Sequence, residues 1–146
     1  MSTLKDKALQ AATRYVEHRG YDVIDVAYPL PGGEQIDIVA KDGDALAFID
    51  VKARRDSAKG FPESDTSNRA REEREMAAIR WLQNGSEEYT DIPIRFDVIS
   101  LVVIGEHRAI IRHHINAFGM SPAKVAAPAT DRQSEDMLPE LACATA

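Results

Sequence analysis

Apolar residues recur at helical spacing from residue 4 to residue 19. Leu4, Ala8, Ala11, Ala12, Tyr15 and Val16 share one side, with Lys5, Asp6, Gln10, Arg14 and Glu17 elsewhere, so the pattern predicts an amphipathic helix. Ser2 or Thr3 can supply its N-cap. Gly20, after the basic pair His18-Arg19, supplies its stop. Residues 21–28 are rich in Val, Ile and Tyr and predict a strand, broken by Pro29-Leu30-Pro31-Gly32-Gly33. Residues 35–41 and 45–53 predict two more strands, joined through the hairpin signal Asp42-Gly43-Asp44. Residues 54–68 are polar, contain Gly60 and Pro62, and read as a loop. Helical spacing returns over 69–84, where Met76, Ala77, Ala78, Ile79 and Leu82 supply apolar surface and Gly85 follows. Residues 94–104 predict a long apolar strand, Gly105-Glu106-His107 a turn, and 109–114 a fifth strand.

Helix, three strands, helix, two strands implies an α/β fold. Its centre is expected to be a mixed five-stranded sheet flanked by helices. Beyond Gly119 the chain turns to proline, alanine and scattered charge without periodicity. Residues 1–119 are therefore expected to form the folded domain and 120–146 a disordered tail, a short helix near 137–144 being the alternative.

Composition narrows the classes of function. A chain of 146 residues with 44% hydrophobic and 29% charged residues suits one soluble domain. No window approaches the roughly 18 to 20 consecutive apolar residues of a membrane span. The first residues carry no apolar stretch behind their charges, so no secretory signal is expected. The single cysteine, Cys143, excludes an internal disulfide and a cysteine-based metal site. A cytoplasmic address with no membrane partner follows as the expectation. The net charge of −6, from 18 basic and 24 acidic residues, argues against an affinity that rests on covering many phosphates. A local basic patch can still steer a polyanion.

The informative stretch is 35–52. With Gly43-Asp44 as the hairpin loop, facing positions sum to 87, which sets Asp37 opposite Asp50 and Gln35 opposite Lys52. Any odd sum keeps the two aspartates on one face, because side chains alternate with period two. Two carboxylates facing each other repel, and here they interrupt apolar runs. A divalent cation resolves both problems: Mg²⁺ takes oxygen ligands, keeps several waters and needs only one or two protein carboxylates. Lys52, on the same face as Asp50, could orient a metal-bound water or stabilise charge on a phosphate. The chemistry suggested is metal-assisted hydrolysis of a phosphodiester. The structural alternative is an Asp50–Lys52 pair lining a solvated face.

An Asp followed about a dozen residues later by Asp/Glu-x-Lys in a hairpin resembles the PD-(D/E)xK nuclease superfamily. More closely, the chain resembles the YraN-like family of small bacterial proteins, related in fold to archaeal Holliday-junction resolvases. The resemblance spans about residues 8–118. It rests on Ala12-Thr13-Arg14-Tyr15-Val16 with Gly20-Tyr21, on Ile36-Asp37-Ile38-Val39-Ala40-Lys41-Asp42, and on Phe48-Ile49-Asp50-Val51-Lys52-Ala53-Arg54. It continues in Ala78-Ile79-Arg80-Trp81-Leu82, Arg95-Phe96-Asp97-Val98 and His114-Ile115-Asn116-Ala117-Phe118. It implies a restriction-endonuclease-like fold, Asp37 and Asp50 as ligands of Mg²⁺ or Mn²⁺, and Lys52 as catalytic base or charge stabiliser. It also implies a DNA partner, branched DNA included. Homodimerisation is part of what it implies, since the resolvases act as dimers, although no stretch here marks a dimer patch.

The chain departs from the family pattern. Gln35 stands where the family's Gly-Glu-Ile-Asp has its glutamate, Leu9 where the first helix often carries an acid, and Asp50 where glutamate is commoner. A site without two of its acids binds metal more weakly. Two functions are therefore expected to compete: a metal-dependent DNA endonuclease, and a non-catalytic nucleic-acid-binding or partner-binding domain on a degenerate nuclease fold.

Basic residues surround the proposed site. Arg54, Arg55 and Lys59 follow Lys52, and Arg69, Arg71 and Arg74 lie on the second helix. They could contact phosphates, or balance Glu72, Glu73 and Glu75 on a solvated helix face. His107, His113 and His114 show no zinc-ligand pattern, and adjacent strand residues point to opposite faces. Trp81 could stack on a base or, at helical spacing from Ala77 and Ala78, belong to the core. Asp97 could join the acidic site or pair structurally with Arg95.

Overall fold

Thr3 starts the first helix, α1 (Leu4–His18). Its hydroxyl accepts the Asp6 N–H at 3.0 Å, and the Asp6 carboxylate accepts the Thr3 N–H at 3.1 Å. Two of the donors that a helix start leaves unpaired are thereby satisfied. Gly20, at φ +94°, turns the chain out of the helix in a conformation a side chain would resist. The computed structural model describes residues 3–55, 57–85, 87–89, 91–118 and 136–137.

The strands follow as β1 (Asp22–Pro29), β2 (Gln35–Asp42) and β3 (Ala45–Arg54). After α2 (Asn68–Gln83) come β4 (Ile94–Ile104), β5 (Arg108–His114) and the two-residue β6 (Asp136–Met137). They lie in one sheet in chain order. All neighbours are antiparallel except β3 and β4, whose parallel pairing requires the long crossover that α2 provides. This is the α/β architecture expected, with five strands in the body of the sheet and β6 added beside β5. Of the 120–146 stretch read as a disordered tail, only Asp136–Met137 fall within the described residues, and they pair with β5. The rest of that reading, and nearly all of the alternative helix, lies outside the described residues. No helix among the described residues is long and apolar enough to cross a membrane.

Alternation along β3 decides which helix covers which face. Ala47, Ile49 and Val51 pack with Ala8, Ala12, Tyr15 and Val16 of α1, whereas Leu46 and Phe48 pack with Ala78 and Trp81 of α2. Trp81 meets the Phe48 ring edge-on at 5.7 Å, and its indole N–H donates to Asp25 Oδ2 at 2.8 Å. Asp25 sits where β1 slips register against β2, between Val23 and Asp25. Such a bulge re-aims a side chain.

The core of α2 differs from expectation. Ala70, Ala78 and Trp81 are buried, but Met76 and Ile79 are 59% and 46% exposed. A large indole between small alanines fills the space over the sheet, and the helix turns those two residues outward. Met76→Gln is accordingly expected to shift stability by no more than about 0.5 kcal/mol. A thermal melt checks this, and a loss of 2 kcal/mol or more, on the order of a buried side chain, would place Met76 in the core.

A buried polar cluster ties β4 to β5, to the turn after it and to α1. The Asp97 side chain is fully buried. It accepts from Arg95 Nε and Nη2, each at 2.9 Å, and from the Asn116 N–H at 2.9 Å. His113 Nε2 lies 3.0 Å from it, and the Tyr15 hydroxyl lies 3.2 Å from His113 Nδ1. Burial pushes the Asp97 carboxyl up, but His113 and Arg95 outweigh it and hold it below its ordinary range. Asp97 thus pairs with Arg95, on the α1 face, away from the cleft described next.

Candidate functional site

The hairpin β2–β3 follows the sum-of-87 register, from Asp42↔Ala45 to Ile38↔Ile49. The ladder stops there, one position before Asp37 would face Asp50. In a continued antiparallel ladder Val51 would next bond to Ile36. Instead the Val51 N–H donates to Asp37 Oδ2 at 2.8 Å, and the Val51 carbonyl accepts from Lys5 Nζ at 2.8 Å. The strands separate here, and side chains satisfy what the backbone releases.

A cleft of about 470 Å³ opens at this separation. Asp37, Asp50 and Lys52 all line it, so the structure brings the three sequence-predicted residues together. Asp37 is only 3% exposed. Its Oδ1 accepts from Gln35 Nε2 at 2.8 Å, and its Oδ2 also takes Lys5 Nζ at 3.0 Å. Asp50 Oδ2 is buried and contacts Arg74 Nη2 at 2.6 Å and Lys52 Nζ at 3.3 Å, ion pairs rather than aligned hydrogen bonds. Burial pushes the Asp50 carboxyl up; the Arg74 guanidinium and the Lys52 ammonium more than offset this and hold it below the ordinary carboxylate range.

The donor set fits a hard cation. Two carboxylates and the Val51 carbonyl are oxygen donors of the kind Mg²⁺ accepts, and both carboxylates already hold cations, Asp37 that of Lys5 and Asp50 those of Arg74 and Lys52. Among the described residues no three His, Cys, Asp or Glu side chains converge on a metal position. An ion here would therefore keep several waters.

Four charged lining residues were not among the predicted catalytic or metal-binding residues. Lys5 arrives from α1, Glu34 from the segment before β2, and Glu73 and Arg74 from α2. The signal for Glu34 was present: Gly33-Glu34-Gln35-Ile36-Asp37 is the pattern Gly-Glu-Ile-Asp with one residue inserted. Arg74 was visible only as one of several helix charges. Nothing local marks Lys5, whose partners lie 32 and 46 residues away.

The predicted phosphate contacts fare unevenly. Arg55 and Lys59 are exposed. Arg54 donates to the carbonyls of Lys59 and Gly60 and pins the loop after β3. Arg69 pairs with Glu73 at 3.5 Å on an exposed helix face, the structural alternative weighed for it. Arg71 donates to the Phe118 carbonyl at 2.9 Å and lies over its ring, holding α2 to the turn after β5. Sequence missed Arg112. The register places Lys52, Ser100 and Arg112 side by side across β3, β4 and β5. Arg112 stacks on Phe61, with its Nε buried and without an acceptor among the described residues. His113 is buried in the Asp97 cluster and Trp81 in the core, so neither reaches the cleft.

The sequence profile of a family described as "Uncharacterised protein family UPF0102" matches residues 10–101. A UPF0102 protein of Geobacter sulfurreducens is 34% identical over 110 residues, 75% of this chain and 84% of its own length. One from Trichlorobacter lovleyi is 34% identical over 118 residues, 80% and 90% of the two chains. One from Rhodococcus opacus is 33% identical over 108 residues, 73% and 88%. The matched window contains Asp37, Asp50, Lys52 and Arg74; Lys5 lies outside it.

Proposed function

This chain belongs to the uncharacterised protein family UPF0102, and from that premise we propose that it is a metal-dependent DNA endonuclease of the PD-(D/E)xK kind. The observation that carries the reading is the meeting of Asp37, Asp50 and Lys52 in one cleft where β2 parts from β3. Asp37, Asp50 and the Val51 carbonyl are the groups that would hold Mg²⁺ or Mn²⁺. Bound there, the ion would polarise a phosphoryl oxygen and make a water more acidic. Asp37 is pre-set for the task by Gln35 and the Val51 N–H, which fix its carboxylate. The Lys52 ammonium sits beside Asp50 and can stabilise charge on a phosphate oxygen or hold a proton in transit. Arg55, Lys59 and Arg112 supply cations for the neighbouring phosphates, contacts that position a duplex without reading its sequence. At a net charge of −6 this attraction is local and falls steeply with salt.

A second reading has its own support. Lys5 and Arg74 already neutralise the two carboxylates, and Leu9 and Gln35 bring no acid. A nucleic-acid-binding or partner-binding domain on a degenerate nuclease fold is consistent with that balance.

Incubation with branched and linear DNA, with Mg²⁺ or Mn²⁺ against EDTA, separates the two. The endonuclease reading expects metal-dependent nicking by the wild type. It also expects loss of nicking in Lys52→Ala, by about 10² or more, with binding weakened only modestly. Binding without nicking under every metal condition would select the second reading.

A further inference from the structure

Lys5 stands in the first turn of α1, the end of a helix where a positive charge is disfavoured by the aligned peptide dipoles. What holds its ammonium lies elsewhere. Nζ is 3.0 Å from Asp37 Oδ2 and 2.8 Å from the Val51 carbonyl oxygen. A carboxylate oxygen and a main-chain carbonyl are hard donors of the type that surrounds a divalent cation. The ammonium therefore sits on two of the three oxygen donors assigned above to a metal. Asp37 is buried, and its other partners, the Gln35 amide and the Val51 N–H, carry no net charge. A buried carboxylate so placed demands a cation. The Lys5 side chain, by contrast, is 47% exposed, so its unbranched stem can swing to water without burying a charge.

We propose that Lys5 is a built-in cation of the cleft, bound to Asp37 and the Val51 carbonyl and displaced when a divalent ion takes their oxygens. The inference rests on the metal reading of the cleft and adds a control to it. Metal affinity is set by competition with a tethered ammonium, and Lys5 masks the site until metal is plentiful.

Calorimetric Mn²⁺ titration of wild type, Lys5→Met and Lys5→Gln tests this. Met keeps an unbranched apolar stem, and Gln keeps a neutral N–H donor for the Val51 carbonyl. A melt shows that each variant is folded. Both are expected to bind Mn²⁺ on the order of tenfold more tightly than wild type or better, the scale on which one adjacent charge acts. Adding Asp37→Asn to Lys5→Met should erase the gain. On the wild-type protein, an amine-reactive ester followed by peptide mass mapping should label Lys5 severalfold faster once Mn²⁺ is bound. Equal affinity in wild type and variants, or labelling of Lys5 indifferent to bound Mn²⁺, overturns the displacement and leaves the metal reading standing. Absence of Mn²⁺ binding in every form overturns both. Tighter binding by Lys5→Met with no cleavage of DNA by any form keeps the displacement and removes the nuclease reading.

Discussion

Asp97→Ala is expected to destabilise the fold by about 3–5 kcal/mol, the range seen when one partner of a buried ion pair is removed. The Asp97 carboxylate is fully buried and its main partner, the Arg95 side chain, is 18% exposed. Truncation would remove two of that guanidinium's hydrogen bonds and leave the buried His113 Nε2 without its carboxylate partner. It would also strand the Asn116 N–H, which Asp97 holds at a residue with φ +59°. Arg95 would retain Asp42 at 2.9 Å and the Tyr21 hydroxyl at 2.8 Å, so a folded but weakened protein is the outcome. Chemical denaturation measures it, and a loss under about 1 kcal/mol would refute the role assigned to the cluster. The acid dependence follows from sign. The folded Asp97 carboxyl titrates below its ordinary value of 3.8. Its contribution is then complete above that value and drains away as pH falls through the lower, folded one. Wild type should lose stability below about pH 4, and Asp97→Asn should show a flatter profile over the same range.

Asp50→Ala carries the other large effect. Under the proposed function it removes one of two carboxylates that would hold the metal, and nicking should fall by about 10² or more. Binding should move the opposite way. Asp50 neutralises Arg74 and Lys52, and its loss releases two cations into the cleft. DNA affinity at low salt is expected to rise severalfold, with a salt dependence steeper by about one to two phosphate contacts. Nicking assays and fluorescence anisotropy across a salt series read the two quantities separately. Undiminished cutting would remove the carboxylate pair from the chemistry. Cutting and binding that fall together would assign Asp50 to the shape of the cleft instead.

Both variants probe features that the sequence exposes to different degrees. The hairpin register was legible because Gly43 marks the turn and side chains alternate strictly, so the pairs from Asp42↔Ala45 to Ile38↔Ile49 followed from counting, whereas the predicted pair of Asp37 with Asp50 did not form. The separation of the strands was not. It depends on a lysine from a helix that touches the hairpin only after folding. The outward turn of Met76 and Ile79 was hidden for another reason: α2 carries apolar residues on several sides, and the bulk of Trp81 decides which side is buried. Asp97 presented two readings because an acid in an apolar strand looks the same whether it serves a site or a cluster. The partners that decide it, His113 and the Asn116 N–H, come from beyond the next turn.

One feature of the fold bears on association between copies. β1 is one of the two outer strands of the sheet among the described residues. It slips register near Asp25, carries Ala27 at φ +55° and ends in Pro29. Such a border interrupts the row of donors and acceptors that an incoming strand needs. Propagation of the sheet into a second molecule, and the fibrous growth that starts that way, is blocked along this side. A dimer formed on this side must dock side chains, since β1 does not extend the sheet.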